Sequence, residues 1–392
     1  MNRTGSGYSQ DKNPLVAGET SAKQAMLGLG GAEPRLFLAF AAPSYDYVQL
    51  IEGLQKVTGK TPLLGCSTAG EFTEAGQGHD SVAVMALGGD NMRVATGVGR
   101  GLRADQGRAA KDAMAHFNAA YRAARAEGFT HATVILLADG LAGNGEALVE
   151  LVHQETNTLA QIVGGAAADA AKFEKTVVIQ GGQAESDSLA VCSLFTRTPV
   201  GLGVQHGLVA ASKPKVVTRA IGGVLYEIDG KPAFEAYREF AAAKGVTLDA
   251  SNREAFMIVN ELGMVTPDGH KVRAPLKANP DGSLVMATEV PTGMAVCIMG
   301  GTPNALIDAT AKAAQSAVEA LKGATPAGAL MFDCICRRIF LGDDYRKQIE
   351  VVSQATGGAA VAGCETYGEI ALTPNQASGF HNSTSVVAVI PA

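Results

Sequence analysis

The chain repeats itself. Residues 46–72 read DYVQLIEGLQKVTGKTPLLGCSTAGEF and residues 344–370 read DYRKQIEVVSQATGGAAVAGCETYGEI. Aligned without a gap, eleven of the 27 positions are identical, including Asp46/Asp344, Tyr47/Tyr345, Gly65/Gly363, Cys66/Cys364, Thr68/Thr366 and Glu71/Glu369. Ordinary residue frequencies give roughly two by chance. The two stretches must therefore share one local structure, and G-C-x-T-x-G-E must make the same turn twice. Two sister glycine bends, one near each end of the chain, can meet around a cavity.

Each copy has readable parts. RLFLAFA (35–41) is an apolar run of buried-strand type. Val48, Ile51, Leu54 and Val57 recur with helical spacing, and Thr58-Gly59 stops that helix. A short strand begins at Pro62, and SVAVMAL (81–87) is the next one. The C-terminal copy repeats this order with a strand at 329–335, a helix at 344–355, strand and turn over 361–368 and a strand at 384–390. A degenerate third copy lies between them: strand 130–139, helix 145–159, strand and turn at 162–165, strand 188–196, with GGAAAD (164–169) in place of GCSTAGE. The remainder predicts a hairpin leading into a helix over 218–245, a strand at 256–263, a surface loop or hairpin over 264–283 and an amphipathic helix over 305–322. GVGRG (97–101) lacks phosphate-loop spacing and reads as a turn before a helix.

Strands alternating with helices give an α/β protein. Links such as SVAVMALGGDNMRVATGVG (81–99) look like antiparallel hairpins. The expected architecture is repeated strand-helix-strand units forming a β-sheet sandwich with outer helices, in two related halves divided near residue 215 (1–215 and 216–392).

Composition removes several functions. The formal charge is −6 and the cations are scattered, which argues against nucleic acid and anionic membranes. No apolar run approaches the roughly 18 residues of a spanning helix. MNRTGSGYSQDKNP lacks the apolar stretch of a signal peptide, and the six cysteines form no C-x-x-C, so reduced thiols in a cytoplasmic protein are expected.

Some residues invite chemistry. Glu71 and Glu369 on sister turns suit an ammonium group, a cation or acid–base work; they equally suit accepting bonds from their own turns. Cys66 and Cys364 follow glycines, but no local histidine base accompanies them, so they read as small buried residues. Arg337 follows an apolar strand; its fork suits a ligand carboxylate, or a clamp with Glu369 or Asp344.

At GCSTAGE (65–71), VGGAAAD (163–169), TRAIGGVLYEIDGKPAFEAY (218–237), FDCICRR (332–338), GCETYGE (363–369) and FHNST (380–384), taken in order, the chain resembles the FIST family of sensory proteins. The resemblance implies an N-terminal and a C-terminal FIST domain, a bound small ligand and signal transduction, without enzymatic activity. Stand-alone bacterial members imply haem, nitric-oxide sensing and regulation of a separate histidine kinase; for the family at large, an amino acid or similar metabolite is the alternative ligand. An enzyme using the paired Glu/Cys turns is the third reading. Within these residues stands no kinase or DNA-binding segment, so output is expected through a histidine kinase or another signalling protein, and a homo-oligomer is allowed. His206, in GLGVQHGLVA (201–210), is then the candidate metal ligand to haem, with a hydrogen-bonded turn histidine as the other reading. The resemblance adds haem propionate to the possible partners of Arg337. His381 and Asn382 of the closing FHNST motif are either ligand contacts or parts of a turn.

Overall fold

The computed structural model describes residues 1–392 apart from 268 and 374–377. The chain runs through three units of one plan. The first holds β1 (Asn2–Ser9), α1 (Pro14–Gly28), β2 (Pro34–Ala41), α2 (Tyr47–Thr58), β3 (Leu63–Ser67), β4 (Gly70–Thr73), β5 (Gln77–Gly78) and β6 (Val82–Gly89). The second holds β7 (Met92–Arg100), α3 (Gln106–Met114), α4 (Phe117–Ala126), β8 (His131–Ala138), α5 (Gly145–Glu155), β9 (Gln161–Ala166), β10 (Val178–Gln180), β11 (Gln183–Glu185) and β12 (Ser188–Thr196). The third opens with β13 (Gly201–Gln205). An insert follows: β14 (Val209–Ala210), β15 (Lys215–Ile221), β16 (Val224–Ile228), β17 (Lys231–Pro232), α6 (Ala233–Ala243), α7 (Arg253–Val259), β18 (Leu262–Thr266), β19 (Gly269–Arg273), β20 (Pro275–Ala278), β21 (Leu284–Met286) and β22 (Ala295–Gly300). The third unit then resumes with α8 (Pro303–Glu319), β23 (Pro326–Cys334), α9 (Ile335–Leu341), α10 (Arg346–Ala355), β24 (Ala360–Thr366), β25 (Gly368–Leu372), β26 (Phe380–His381) and β27 (Ser385–Pro391).

Local chemistry explains the repeated helix. The Asp46 side chain accepts the Val48 and Gln49 N–H groups at the start of α2, and Gly59, at φ +56°, ends it. Asn144 caps α5 in the same way. In the third unit a 3-10 turn precedes α10, and Asp344 pairs with Lys347 at 2.7 Å.

The three sheets share one order. Each begins with a leading strand, then the unit's closing strand, then its parallel pair: β1-β6-β2-β3, β7-β12-β8-β9 and β13-β27-β23-β24. Each is finished by a hairpin from another unit. The second unit's β10–β11 joins β3, the first unit's β4–β5 joins β24, and the third unit's β25–β26 joins β9. The exchange closes a ring. Strands from both sides of residue 215 share two of the sheets.

The pleat sorts side chains onto two faces. Inner residues of all three sheets, such as Phe40, Cys66, Cys192, Phe332 and Cys364, make a common core. Phe40 and Phe332 meet edge to face at 5.8 Å, joining the first and third sheets; burial of each ring stabilises the fold by about 2–3 kcal/mol. The outer faces pack under helices: α1 and α2, α3 to α5, and α8 with α10. This is the expected α/β arrangement of face-packed sheets with outer helices. The insert forms a separate nine-stranded sheet with its own core.

Three local expectations fail. Residues 81–99 form no hairpin: β6 is already flanked by β1 and β2, so after Gly89 the chain crosses to another sheet. GVGRG lies largely within β7, because it pairs along β12; only Gly101 turns, and the helix starts at Gln106. The stretch 256–263 divides between α7 and β18, since Asn260 ends the helix and only residues from Leu262 pair. The 264–283 stretch forms β18–β19 and part of β20–β21, with residue 268 outside the described residues.

Candidate functional site

Close backbone approach explains the repeated glycine. A Cβ on Gly65, Gly363 or Gly164 would stand 2.1, 2.0 or 1.8 Å from the carbonyl oxygen of Ala39, Met331 or Leu136 in the parallel neighbour. The three bends are therefore equivalent. In the outer two, the following Thr and Glu close the bend. Thr68 and Ser81 donate to Glu71, the latter at 2.6 Å. Thr366 Oγ1 donates to Glu369 at 2.9 Å, and the Thr384 N–H to its other oxygen at 3.2 Å. Both carboxyls are fully buried, and burial pushes both well above the ordinary range. They serve their own turns.

The sister bends do meet. Ala69 N–H donates to the Glu365 carbonyl at 3.0 Å, and Glu71 stands opposite Cys364 in the ladder. They join by strand pairing, not around the expected shared hollow. Cys66 and Cys364 belong to the central core, and burial raises the Cys364 thiol.

Arg337 is a buried clamp, and its acidic partner is Asp333, not Glu369 or Asp344. Its Nε lies 3.0 Å from Asp333 Oδ1, an ion contact without hydrogen-bond alignment. Its Nη atoms donate to the His206 carbonyl at 2.7 Å, the Leu306 carbonyl at 2.8 Å, Thr310 at 2.8 Å and Gln348. The fork is fully occupied by the protein. His206 Nδ1 accepts the Leu208 N–H at 3.0 Å, and Nε2 lies 3.2 Å from the His270 carbonyl. Burial lowers its pKa. With both ring nitrogens engaged, and only a cavity of about 10 Å³ beside Arg337, Leu208 and Glu261, this environment does not fit a haem. That volume suits one water. His381 pairs with Glu369 in the ladder, and its Nε2 lies 3.1 Å from the Ala371 carbonyl. Burial first, then the nearby Lys271 charge, brings it down to about 4. Asn382 bonds Thr288 and the His381 carbonyl at 3.1 Å each. His381 ends β26 and Asn382 begins the turn into β27.

The large opening lies elsewhere, where the middle copy departs from the other two. After Gly65 and Gly363 the donated strand reaches Glu71 and Glu369 in six residues. After Gly164 the equivalent position is Val178, fourteen residues on. The additional residues make a loop over 169–177. Ala170, Ala171 and Phe173 take left-handed φ values of 57°, 62° and 55°, a sparsely populated region for such residues. Asp169 holds the loop. It accepts the N–H groups of Phe173, Glu174 and Lys175 at 2.9, 2.7 and 2.8 Å, and the Tyr367 hydroxyl. Partial burial works upward on Asp169, but these bonds outweigh it and leave the pKa lowered.

Between this loop, α2 and the β10–β11 hairpin runs a groove of about 880 Å³. Tyr45, Tyr47, Val48 and Ile51 give it an apolar side. Lys172, Lys175, Glu52 and Glu174 rim it, exposed and without an ion pair among the described residues. The helices help explain why this cleft is open. Their buried positions are in phase: Leu50/Ile51, Leu148/Val149 and Gln348/Ile349. The residue two positions before each pair is then Val48, Glu146 and Arg346 in turn. Glu146 is covered by Lys271 at 3.0 Å and Arg273 at 2.7 Å from the insert. Arg346 donates to the Glu74 carbonyl at 2.5 Å, leaving about 190 Å³. Val48 is 80 % exposed. Sequence reasoning missed this groove. Its one signal was that the middle copy takes longer to reach its second strand.

Models of the FIST N domain and the FIST C domain match residues 35–231 and 233–372. An uncharacterized protein of Methanocaldococcus jannaschii is 28 % identical over 147 residues, which are 35 % of this chain and 29 % of that protein. Thus the match spans less than a third of that relative's length. Among solved structures, a chorismatase superposes with TM-score 0.34 at 10 % identity, over 100 % of this chain and 99 % of that one. A cyanuric acid hydrolase gives 0.34 at 11 %, over 100 % of both. At these scores neither likeness bears on chemistry. Among the described residues no helix is long and apolar enough to cross a membrane.

Proposed function

The chain belongs to the FIST family of ligand-binding sensory domains, and we propose that it senses a small zwitterionic metabolite of the amino-acid class in the groove beside α2. The single supporting observation is that groove: a cleft in the size range of small-molecule sites, with an apolar side and unpaired charges of both signs at its rim. In this reading Lys172 and Lys175 take the ligand carboxylate, Glu52 or Glu174 takes the ammonium, and Tyr45, Val48 and Ile51 meet its side chain. Arg337, Glu71 and Glu369 keep structural roles, since their polar groups are already bonded within the protein. The protein binds without converting its ligand, and a separate signalling protein such as a histidine kinase receives the state. Haem and nitric oxide are left out of this reading because His206 has no free ring nitrogen.

A thermal-shift panel of the twenty amino acids tests the proposal. A ligand at a hundred times its Kd adds about 2.7 kcal/mol, read as a rise of a few degrees. Lys172→Ala with Lys175→Ala should abolish that rise. No stabilisation by any amino acid, or a rise untouched by the double substitution, rejects the ligand class or the seat respectively. A Soret band on adding hemin would restore the haem reading.

A further inference from the structure

The three units are alike except where one of them departs, and two departures touch. The middle copy alone carries the 169–177 loop. At the bend position equivalent to Ala69 and Ala168, the third copy alone carries a large side chain, Tyr367. The Tyr367 hydroxyl donates to Asp169, the residue that organises the loop. Its ring stacks on Phe173 at 4.6 Å with planes 9° apart. Even with Tyr367 stacked on it, Phe173 remains 47 % exposed. Gly140 makes room: a Cβ there would lie 3.3 Å from the Tyr367 ring and 2.0 Å from the Ala167 carbonyl oxygen. On its other side the loop forms the groove wall with Asp169, Lys172, Glu174 and Lys175. One short loop thus faces the candidate ligand seat and grips the C-terminal bend. That bend is itself pinned, since the Tyr367 N–H donates to the Ala166 carbonyl at 3.1 Å and Gly368 begins the strand that completes the second sheet.

Resting on the groove as the ligand seat, we infer that Tyr367 is a positioning residue for it, and that Tyr367, Asp169 and Phe173 form a latch linking groove occupancy to the C-terminal bend. A ligand that moves the backbone at Lys172 or Lys175 moves the N–H groups that Asp169 holds, and through Asp169 it reaches Tyr367. Coupling of this kind is reciprocal.

Hydrogen exchange on the full, ligand-free chain tests the latch. Tyr367→Phe keeps the ring and removes the hydroxyl; it should speed exchange at the 173–175 amides about tenfold, the effect of one lost bond to a charged group. Tyr367→Ala removes the stack as well and should exceed it. In the other direction, Asp169→Asn should speed exchange at 366–369. Either substitution loosening only its own side overturns the latch; a role confined to holding each element separately gives that result. A second arm uses the absence of tryptophan from the chain. Phe173→Trp creates a single indole stacked on Tyr367, titrated with the same twenty amino acids. Binding that shifts the melting temperature but leaves the emission unchanged also overturns the latch. If no amino acid binds, the ligand class fails, while the exchange experiments still decide the latch.

Discussion

The bend at 65–71 and the bend after Gly164 occupy equivalent places, yet one is closed and the other open. In the first, Thr68 and Ser81 satisfy Glu71, and the chain passes at once into a partner sheet. In the second, the Thr and Glu positions are alanines, the strand is delayed, and Val178 replaces the buried acid. The frame survives because it depends on the glycine contact and the ladder, which all three copies keep. The groove exists because one copy could lose its polar closure without losing its place in the ring. Repetition builds this scaffold, and a lapse in the repetition opens a groove in it.

The equivalence is broken most severely at the glycines. Alanine at Gly65, Gly164 or Gly363 should cost about 3 kcal/mol or more each, because the contact is with backbone that cannot move aside. Urea titration measures it; one tolerant position would mean the three bends are not the same structure. Next, Glu71→Ala and Glu369→Ala should each cost about 2 kcal/mol by leaving buried donors without partners. Denaturation of the two variants should agree within error, and a neutral result at either would place closure elsewhere.

The pH response sharpens the contrast between copies. Glu365 stands where the first copy has Ser67, and burial above all raises it to about 8. A buried acid with a raised pKa contributes stability present below its ordinary 4.5 and lost as pH climbs toward 8. The melting temperature should therefore fall as pH rises from about 4.5 toward about 8, this carboxyl alone removing up to roughly 1.4 kcal/mol of stability per pH unit. Glu365→Gln should flatten part of that fall; Glu261, near 7, and the buried Glu71 and Glu369, raised in the same direction, contribute to it as well. On the acid side His381, held to about 4, is neutral in the fold, so its own contribution is lost as pH drops from 6.5 toward 4 and opposes the gain from Glu365. An unchanged slope in Glu365→Gln would show that this carboxyl is not ionising there. Smallest of all, Ala170→Glu restores the repeat's lettering yet should change stability by less than about 0.5 kcal/mol. Ala170 is an exposed loop residue, and the spatial counterpart of Glu71 is Val178.

Much of the frame was legible from residues alone. The strands over 34–41, 131–138 and 188–196 and helix α2 follow from apolar runs and one capped, glycine-stopped period. The repeat correctly announced that the bends at 65 and 363 are alike. The candidate site was far less legible. Glu71, Glu369, Arg337, His206 and His381 drew attention because polar groups beside apolar runs look functional; in the structure their polar atoms are engaged by the protein's own groups. Lys172, Lys175 and Glu52 look like ordinary surface charges until the strand exchange sets them around one opening. Which sheet a hairpin joins is a long-range choice, and neighbouring residues carry no mark of it.

The ring of borrowed hairpins also bears on how the protein is made. Synthesis runs from the N-terminus, and most domains fold as they emerge. Here β4 and β5, at residues 70–78, wait for β24 at 360–366, and β9 waits for β25. The first unit leaves the ribosome with a dangling hairpin that no strand yet made can receive, and the chain must grow as far as β24 before that hairpin finds its seat.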